Sequence, residues 1–545
     1  MRGPRRFVQK PTDTKNALKN LLNLLKDYKF KLAITIICAI LSTAFTVLGP
    51  ILIGKATTCI FEGINLYLNH TGSIDFKLLV WLLGIAIVLY IISAIFSYLQ
   101  SWFLVEISTE ISYKLRKKLI KKVTSMPMSE IDNKKRGDIL SRIVNDVDSI
   151  QMGITQTFLQ FITAIITIIG VFIMMMSINI WMSLANLILI PTSFGLIILV
   201  TRKSQKYFKK RLNYKGELNA QIEEVFTAHD VVSAYNGQEI AILEFNKSNE
   251  KWYVNEWKSQ FYSSLTEPIM NFISNLSYVL IAVLGAIFVL QKAIAVGDIL
   301  AFFQYVKNFT QPIQQITKIM DMLQTAMAAS ERIFEFLEHD DEIESGSLEI
   351  NDLKESIEFD NVHFGYGSEE IIKGITFEVK KGEKVAIIGP TGAGKSTIVK
   401  LLMRFYDVNS GKIKIDDRDI REFKKDDLRS LIGMILQDTW LFSDTIKENI
   451  RYGSLDATSD EIINVSKQVN VDDFALQLPK AYNTILNEDT DNISHGQKQL
   501  ITIARTLLAN KKILILDEAT SSVDTRTEKL IQKAMDKLTE EKQAL

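Results

Sequence analysis

Cysteine is nearly missing from this chain. Of 545 residues only Cys38 and Cys59 are cysteines, and both fall in or beside the first apolar stretch. That excludes a disulfide framework and any cysteine-based zinc spacing. An excess of charge of either sign is missing too, since 63 basic residues face 63 acidic ones. No global pull toward nucleic acid follows, and no nucleic-acid partner is expected. No cleavable signal peptide is expected either: Met1 to Phe30 is basic and has no apolar core ending in small residues. Hydrophobic residues make up 47 % and charged residues 23 %, values that would fit a soluble enzyme. Their distribution does not fit one, because charge avoids long stretches of the first 330 residues.

Those stretches have the length of membrane spans. A spanning helix needs about 20 apolar residues to cross a hydrocarbon core about 30 Å thick. Leu32 to Gly54, Leu78 to Val105 and Pro268 to Gln291 carry no charge. Ser149 to Thr201 is uncharged throughout and suits two spans with a turn near Ser177-Ile178-Asn179. A weaker sixth, Ile299 to Thr317, is interrupted by Lys307. Lys and Arg crowd the N-terminal arm, the segment between the second and third spans (Lys114 to Arg142) and the segment between the fourth and fifth (Arg202 to Arg211). The loops on the other side hold few. By the positive-inside rule both termini are cytoplasmic. The sequon Asn69-His70-Thr71 lies on the outer side and reads as a chance occurrence. Breaks at Met126-Pro127-Met128 and Ala228-His229-Asp230 mark turning points in the two long cytoplasmic segments, where a membrane domain could touch a partner below it.

Lys307 has two readings. With Gln304, Asn308 and Gln311 at helical spacing it forms a polar stripe along a translocation pathway; alternatively it snorkels to the interface from a differently placed span. The neighbouring Phe302, Phe303, Tyr305 and Phe309 suit amphipathic cargo or a plain packing face.

Past Glu338 the apolar runs shorten and charge rises. Residues His339 to Glu355 read as a linker, and from Ile357 strands and helices alternate. Lys384 to Ile388 is expected as a buried strand leading into Gly389-Pro390-Thr391-Gly392-Ala393-Gly394-Lys395-Ser396. This is a P-loop: glycines let backbone N–H groups close round phosphate oxygens, Lys395 reaches the β- and γ-phosphates, and Ser396 offers its hydroxyl to Mg²⁺. The next helix, Thr397 to Arg404, aims its N-terminal dipole at the same anion. Further on, the apolar run Ile513 to Leu516 ends in Asp517-Glu518. Asp517 would hold Mg²⁺, directly or through water, and Glu518 would orient or deprotonate the attacking water. ATP and Mg²⁺ are the expected cofactors.

Between these lies Asn492-Ile493-Ser494-His495-Gly496-Gln497-Lys498-Gln499, opening a helix over Ile501 to Leu508. The order of P-loop, Gln437, Ser-x-Gly-Gln and Asp-Glu-Ala-Thr-Ser-Ser resembles the ATP-binding cassette (ABC) transporter family. Six spans followed by one cassette resemble an exporter half-transporter. The fold class expected is therefore an α-helical six-span transmembrane domain followed by an α/β P-loop nucleotide-binding domain. The divisions are an arm and elbow helix at 1–30, a membrane domain at 31–337, a linker at 338–355 and a cassette at 356–545. The resemblance implies that Tyr366 stacks on adenine, that Thr397 belongs to the ATP site, and that Gln437 senses Mg²⁺. It implies that Ser494, His495, Gly496 and Gln497 meet the ATP of a second subunit, that Asp524 belongs to the dimer interface, and that Glu488 lies in the loop contacting the coupling segments. It further implies a bacterial cell-membrane protein, seated in the lipid bilayer, that exports amphipathic small molecules (drugs or lipids) across the membrane as half of a dimer. An ATP-gated channel or regulatory membrane protein on the same fold is the alternative.

Two departures from the family pattern matter. A glycine usually stands where this chain has His495. Either His495 is an inert loop residue, or the chain resembles one half of a heterodimeric exporter, keeping the catalytic Glu518 while giving an altered signature to the weaker site. A homodimer is the other arrangement. The family's switch histidine, beyond the D-loop, has no counterpart among His70, His229, His339, His363 and His495. The expectation is a C-terminally truncated chain with little hydrolysis of its own.

Overall fold

The computed structural model describes residues 13–538 and 543–544, apart from 133, 135, 343, 344, 368, 391, 436–438, 488–491 and 518–524. The chain divides into two compact units. One holds the residues up to Thr124 together with Arg136–His339; the other holds Ser125–Lys135 and the chain from Asp340 onward.

The first unit is helical. After the short α1 (Thr14–Leu25) come α2 (Lys29–Leu68) and α3 (Phe76–Ser125). A small helix, α4 (Met128–Asp132), follows the Pro127 break and belongs to the second unit. The chain returns through α5 (Arg136–Ile178), which includes π-helical turns at Arg142–Asp146 and Gly153–Phe158. Asn179 then breaks the helix with an extended backbone, φ −158° and ψ 122°, and its side chain accepts from the Trp181 and Met182 amides. This cap starts α6 (Ile180–Thr227) at the expected turn. A second break gives α7 (His229–Ala234), followed by α8 (Gln238–Ser264), α9 (Thr266–Leu290) and α10 (Val296–Leu337). Helix α8 lies along α6, and α10 packs against α2 and α5.

Among the described residues, four helical stretches can cross a membrane by length and composition: Thr14–Leu68, Phe76–Ser125, Arg136–Ile178 and Gln238–Leu290. The expected fourth and sixth spans fall within α6 and α10. On α3, Trp81, Ile87, Ile91 and Trp102 are each more than half exposed. A helix built for water buries such residues; one built for lipid need not. The core of the unit gathers Val47, Met175, Met182, Ile281, Phe302 and Tyr305, and the Tyr305 hydroxyl donates to the Val47 carbonyl at 2.7 Å. Near the start of α10 the backbone closes directly on α2. A Cβ on Gly297 would sit 1.7 Å from the Gly54 carbonyl oxygen, and the Gly297 amide donates to Thr58 Oγ1 at 3.1 Å. Only glycine permits that crossing.

The second unit is α/β. An antiparallel sheet holds β1 (Ser356–Phe364), β2 (Ile372–Lys380), β3 (Ser410–Ile415) and β4 (Arg418–Asp419) in the order β2-β1-β3-β4. Cross-strand Phe359 and Phe377 stack at 4.5 Å. Helix α11 (Lys395–Leu402) precedes β3, and α12 (Lys425–Leu431) leads into β5 (Ile432–Ile435). A parallel sheet joins β5, β6 (Ile513–Leu516) and β7 (Gln543–Ala544). Between β5 and β6 lie α13 (Ile446–Arg451), α14 (Ser459–Gln468), α15 (Asp472–Ala475) and α16 (His495–Ala509); α17 (Thr525–Leu538) follows β6.

The stretch Lys384–Ile388 corrects the expectation of a buried strand. Only Lys384 makes a bridge, and Ile388 is 92 % exposed. The reason is a missing partner. Strand β6 pairs with β5 on one side and with β7 on the other, so β6 offers no edge to this stretch, and among the described residues Val385 to Ile388 join no ladder. An apolar run becomes a buried strand only where a neighbour supplies the other half of its hydrogen bonds.

Candidate active site

The P-loop turns on two left-handed glycines. Gly392 and Gly394 both have φ +88°, and Gly394 caps α11. A Cβ on Gly394 would lie 2.6 Å from Ile372 Cδ1. The loop closes on itself: Lys395 Nζ donates to the Gly389 carbonyl at 2.7 Å, and the Ala393 amide donates to the Pro390 carbonyl at 3.1 Å. Ser396 and Thr397 follow on the first turn of α11, with Thr397 buried.

Two distant residues join this loop. Strand β6 ends at Leu516, and the Asp517 amide donates to the Ile435 carbonyl of β5 at 3.0 Å, which fixes where its carboxylate emerges. Ser396 Oγ donates to Asp517 Oδ2 at 3.5 Å. From the other side, Tyr366, in the connection between β1 and β2, places its hydroxyl 3.4 Å from Thr397 Oγ1. Its ring is half exposed and meets Phe364 and Tyr406 edge-on at 5.1 and 5.0 Å. An aromatic face, a glycine loop at a helix N-terminus, a lysine, a hydroxyl and a carboxylate thus converge. That set can hold a purine, a polyphosphate and a hard cation.

The Ser494 turn is built separately. Ser494 caps α16: its Oγ accepts from the Gln497 amide at 3.3 Å, and Gln497 Oε1 accepts from the Ser494 amide at 2.8 Å. His495 is exposed and Gly496 is buried. Arg505 anchors the same helix by donating to the Asn449 carbonyl at 2.8 Å and the Trp440 carbonyl at 3.1 Å; burial pulls its guanidinium below the ordinary value. Among the described residues no hydrogen bond links the Ser494–Gln497 turn to the P-loop. Thr391, Gln437, Glu488, Glu518 and Asp524 lie outside the described residues.

Residues 32–313 match the family described as ABC transporter transmembrane region, and residues 372–521 match the family described as ABC transporter. The chain is 41 % identical over 466 residues to a Mycobacterium bovis protein named "Fatty acid ABC transporter ATP-binding/permease protein", which covers 85 % of this chain and 74 % of that one. The chain belongs to the ABC transporter family. It is also similar to two Bacillus subtilis proteins. One, "Uncharacterized ABC transporter ATP-binding protein YfiC", is 34 % identical over 97 % of this chain and 87 % of its own length. The other, provisionally named as a multidrug export ATP-binding/permease protein, YgaD, is 29 % identical over 96 % and 90 %. This ABC transporter is an exporter-type half-transporter, with a helical transmembrane region and an ATPase domain in one chain. It binds ATP, couples ATP hydrolysis to transport, and is a multi-pass protein of the bacterial membrane.

Three residues of the transporter's second unit escaped the sequence reading. Asp132, at the end of α4, accepts from Lys400 Nζ at 2.8 Å and from the Tyr406 hydroxyl at 2.9 Å. Lys400 Nζ lies 5.6 Å from the centre of the Tyr366 ring and 5.8 Å from that of Tyr406. Burial alone would pull the Lys400 ammonium down, but Asp132 and Tyr366 leave it raised; burial, with the bond to Asp132, pushes the Tyr406 phenol up. No local pattern announces a pair separated by 268 positions. The only sequence signal was the Met126-Pro127-Met128 break.

Proposed function

We propose that this half-transporter exports amphipathic molecules, drugs or lipids, as one half of a heterodimer, and that the P-loop and Asp517 form its share of the competent ATP site. The observation that carries the reading is the 3.5 Å approach of Ser396 Oγ to Asp517 Oδ2. In this reading Tyr366 stacks on adenine, and the backbone of Gly389, Pro390, Thr391, Gly392, Ala393 and Gly394 cradles the phosphates, with Lys395 and Thr397 beside them. The oxygen donors Ser396 and Asp517 fit Mg²⁺, which commonly takes one or two carboxylates and completes its shell with phosphate and water; Gln437 would join them. The ion would draw charge from the phosphate oxygens. Glu518 acts as the base toward water. Ser494, His495, Gly496 and Gln497 face the partner's ATP, with Asp524 at the dimer contact and Glu488 toward the coupling segments.

The membrane half of the proposal has six spans, both termini in the cytoplasm, and functional divisions at 1–30, 31–337, 338–355 and 356–545. Helix α10 supports a pathway role for Lys307. Phe302, Tyr305, Val306 and Phe309 are buried in the bundle, while Lys307 and Gln311 are exposed and Gln304 and Asn308 half-exposed on the other face. At about 1.5 Å per residue Lys307 lies about 17 Å along the axis from Val296. That is near the midplane of a core about 30 Å thick, so the charge belongs on a face turned to protein or water rather than lipid. Two of the relatives carry cargo in their names, one fatty acids and one, provisionally, multidrug export, which supports a cargo of this class.

The test is Glu518→Gln in the assembled transporter in vesicles. ATP hydrolysis and uphill uptake of a fatty acid or lipophilic dye should fall together by roughly a hundredfold or more, with ATP binding retained. Uphill transport that persists without hydrolysis overturns the assignment of Glu518. Passive flux opened by ATP alone would support a gated channel instead.

A further inference from the structure

Residues 125–135 are continuous in sequence with helices α3 and α5 of the first unit, yet they pack as part of the second. They are tied there at both ends. The Glu342 amide donates to the Ser125 carbonyl at 2.7 Å, and Ser125 Oγ donates to Asp341 at 2.6 Å. At the other end Asp132 takes hydrogen bonds from Lys400 and Tyr406. Both donors also touch Tyr366: Lys400 lies against its ring, and Tyr406 packs edge-on to it at 5.0 Å. Asp132, Lys400 and Tyr406 therefore form a connected group beside the Tyr366 ring.

We infer that Asp132 is a positioning residue for adenine, acting through Lys400 and Tyr406 on Tyr366. The inference rests on the proposed stacking of adenine on Tyr366. The physical argument is one of restraint. An ammonium that meets two aromatic rings and a carboxylate is held more firmly than by the rings alone, and so restricts the tilt of both rings. Without Asp132, Lys400 is free to extend into water, and Tyr366 loses a fixed neighbour. The cost of ordering that ring then falls on base binding. Conversely, a base that fixes Tyr366 favours the arrangement in which Lys400 meets Asp132. By linkage the two equilibria shift in the same direction.

The test is steady-state ATPase of the assembled transporter in vesicles, with MgATP and MgUTP compared. Asp132→Asn and Lys400→Met should each raise KM for ATP about two- to fivefold, the range for one exposed cation–ring contact, with little change in kcat. The double variant should be no worse than either single one. The KM for UTP, whose smaller base offers less ring to stack on, should move less. Lys400→Arg should restore the ATP value, because a guanidinium keeps both the charge and the ring contact. Tyr406→Phe keeps the ring, loses only the bond to Asp132, and should shift KM in the same direction by less. Equal shifts for ATP and UTP, or a loss of kcat at unchanged KM, overturn the inference and leave Asp132 a purely structural tie. Tyr366→Leu separates the two levels. If it raises KM for ATP and Asp132→Asn does not, only the positioning role fails; if neither does, the stacking assignment itself is wrong.

Discussion

Gly394 illustrates what a single residue contributes to this site. Its φ of +88° points the first amides of α11 into the loop, a conformation that costs an L-residue about 1–2 kcal/mol. The added Cβ would also press on the tips of Ile372 and Ile371, at 2.6 and 3.0 Å. Gly392 has the same φ but no atom within 4 Å of its would-be Cβ. The pair thus separates backbone from side-chain cost. Gly392→Ala should weaken ATP binding by about five- to thirtyfold, the equivalent of 1–2 kcal/mol. Gly394→Ala should weaken it further. Titration calorimetry with ATP in a non-hydrolysing background checks both, and equal losses would mean the isoleucine tips yield without cost. These glycines were legible from sequence because the P-loop pattern carries its own geometry: spacing alone says which backbone must bend. The approach of Ser396 to Asp517 was legible for a related reason, since a carboxylate at the end of an apolar strand has one place to go. Asp132 was not. Its partners Lys400 and Tyr406 are ordinary helix-end and loop residues, and the contact joins Lys400 to a residue 268 positions earlier in the chain.

At the scale of elements, short-range signals set the helix ends and long-range pairing set the strands. Asn179 and Pro127 stand at the breaks before α6 and α4, where local chemistry ends or starts a helix. The 384–388 run misled because its apolar pattern says nothing about which neighbour is available. The segment around Glu342 works like the strands. Its carboxylate accepts from Arg429 at 2.7 and 2.9 Å and from Lys425 at 3.1 Å, holding the chain leading from α10 against α12. The bond to Arg429, followed by that to Lys425, keeps the Glu342 carboxyl below its ordinary pKa. The sign follows from the folded value being the lower one. This stabilisation is fully present above the ordinary value of 4.5 and is lost as pH falls through the folded value. Glu342→Gln should therefore lower the melting temperature by about 3 °C at pH 7, and by progressively less as the assay moves below pH 4.5. A difference that stays constant down to acid pH would mean the ion pairs contribute nothing.

At the scale of the whole molecule, the open matter is symmetry. The Ser494 turn is fully capped within its own chain, and His495 stands exposed beside the buried Gly496. A signature meant to meet a second subunit's γ-phosphate does so through backbone and small groups at a helix start, where the dipole favours an anion. A side chain at 495 adds bulk to that approach. If the transporter is a heterodimer, the cost falls on a site that hydrolyses slowly in any case, because its carboxylate would come from the other chain. Glu518 would then serve the fast site, completed by the partner's intact signature. Glu518 and His495 should consequently respond to mutation very unequally. In the assembled pair, Glu518→Gln should remove nearly all turnover, whereas His495→Gly should change it by less than about twofold. In a homodimer both sites share both features. There His495→Gly would alter turnover several-fold while Glu518→Gln silenced both sites together. Mass measurement of the purified assembly reads the composition independently, and the heterodimer requires one copy of this chain beside one copy of a different half-transporter. A stable two-copy assembly with full turnover would instead place His495 within a working signature, and its exposed side chain would then have to lie clear of the phosphate.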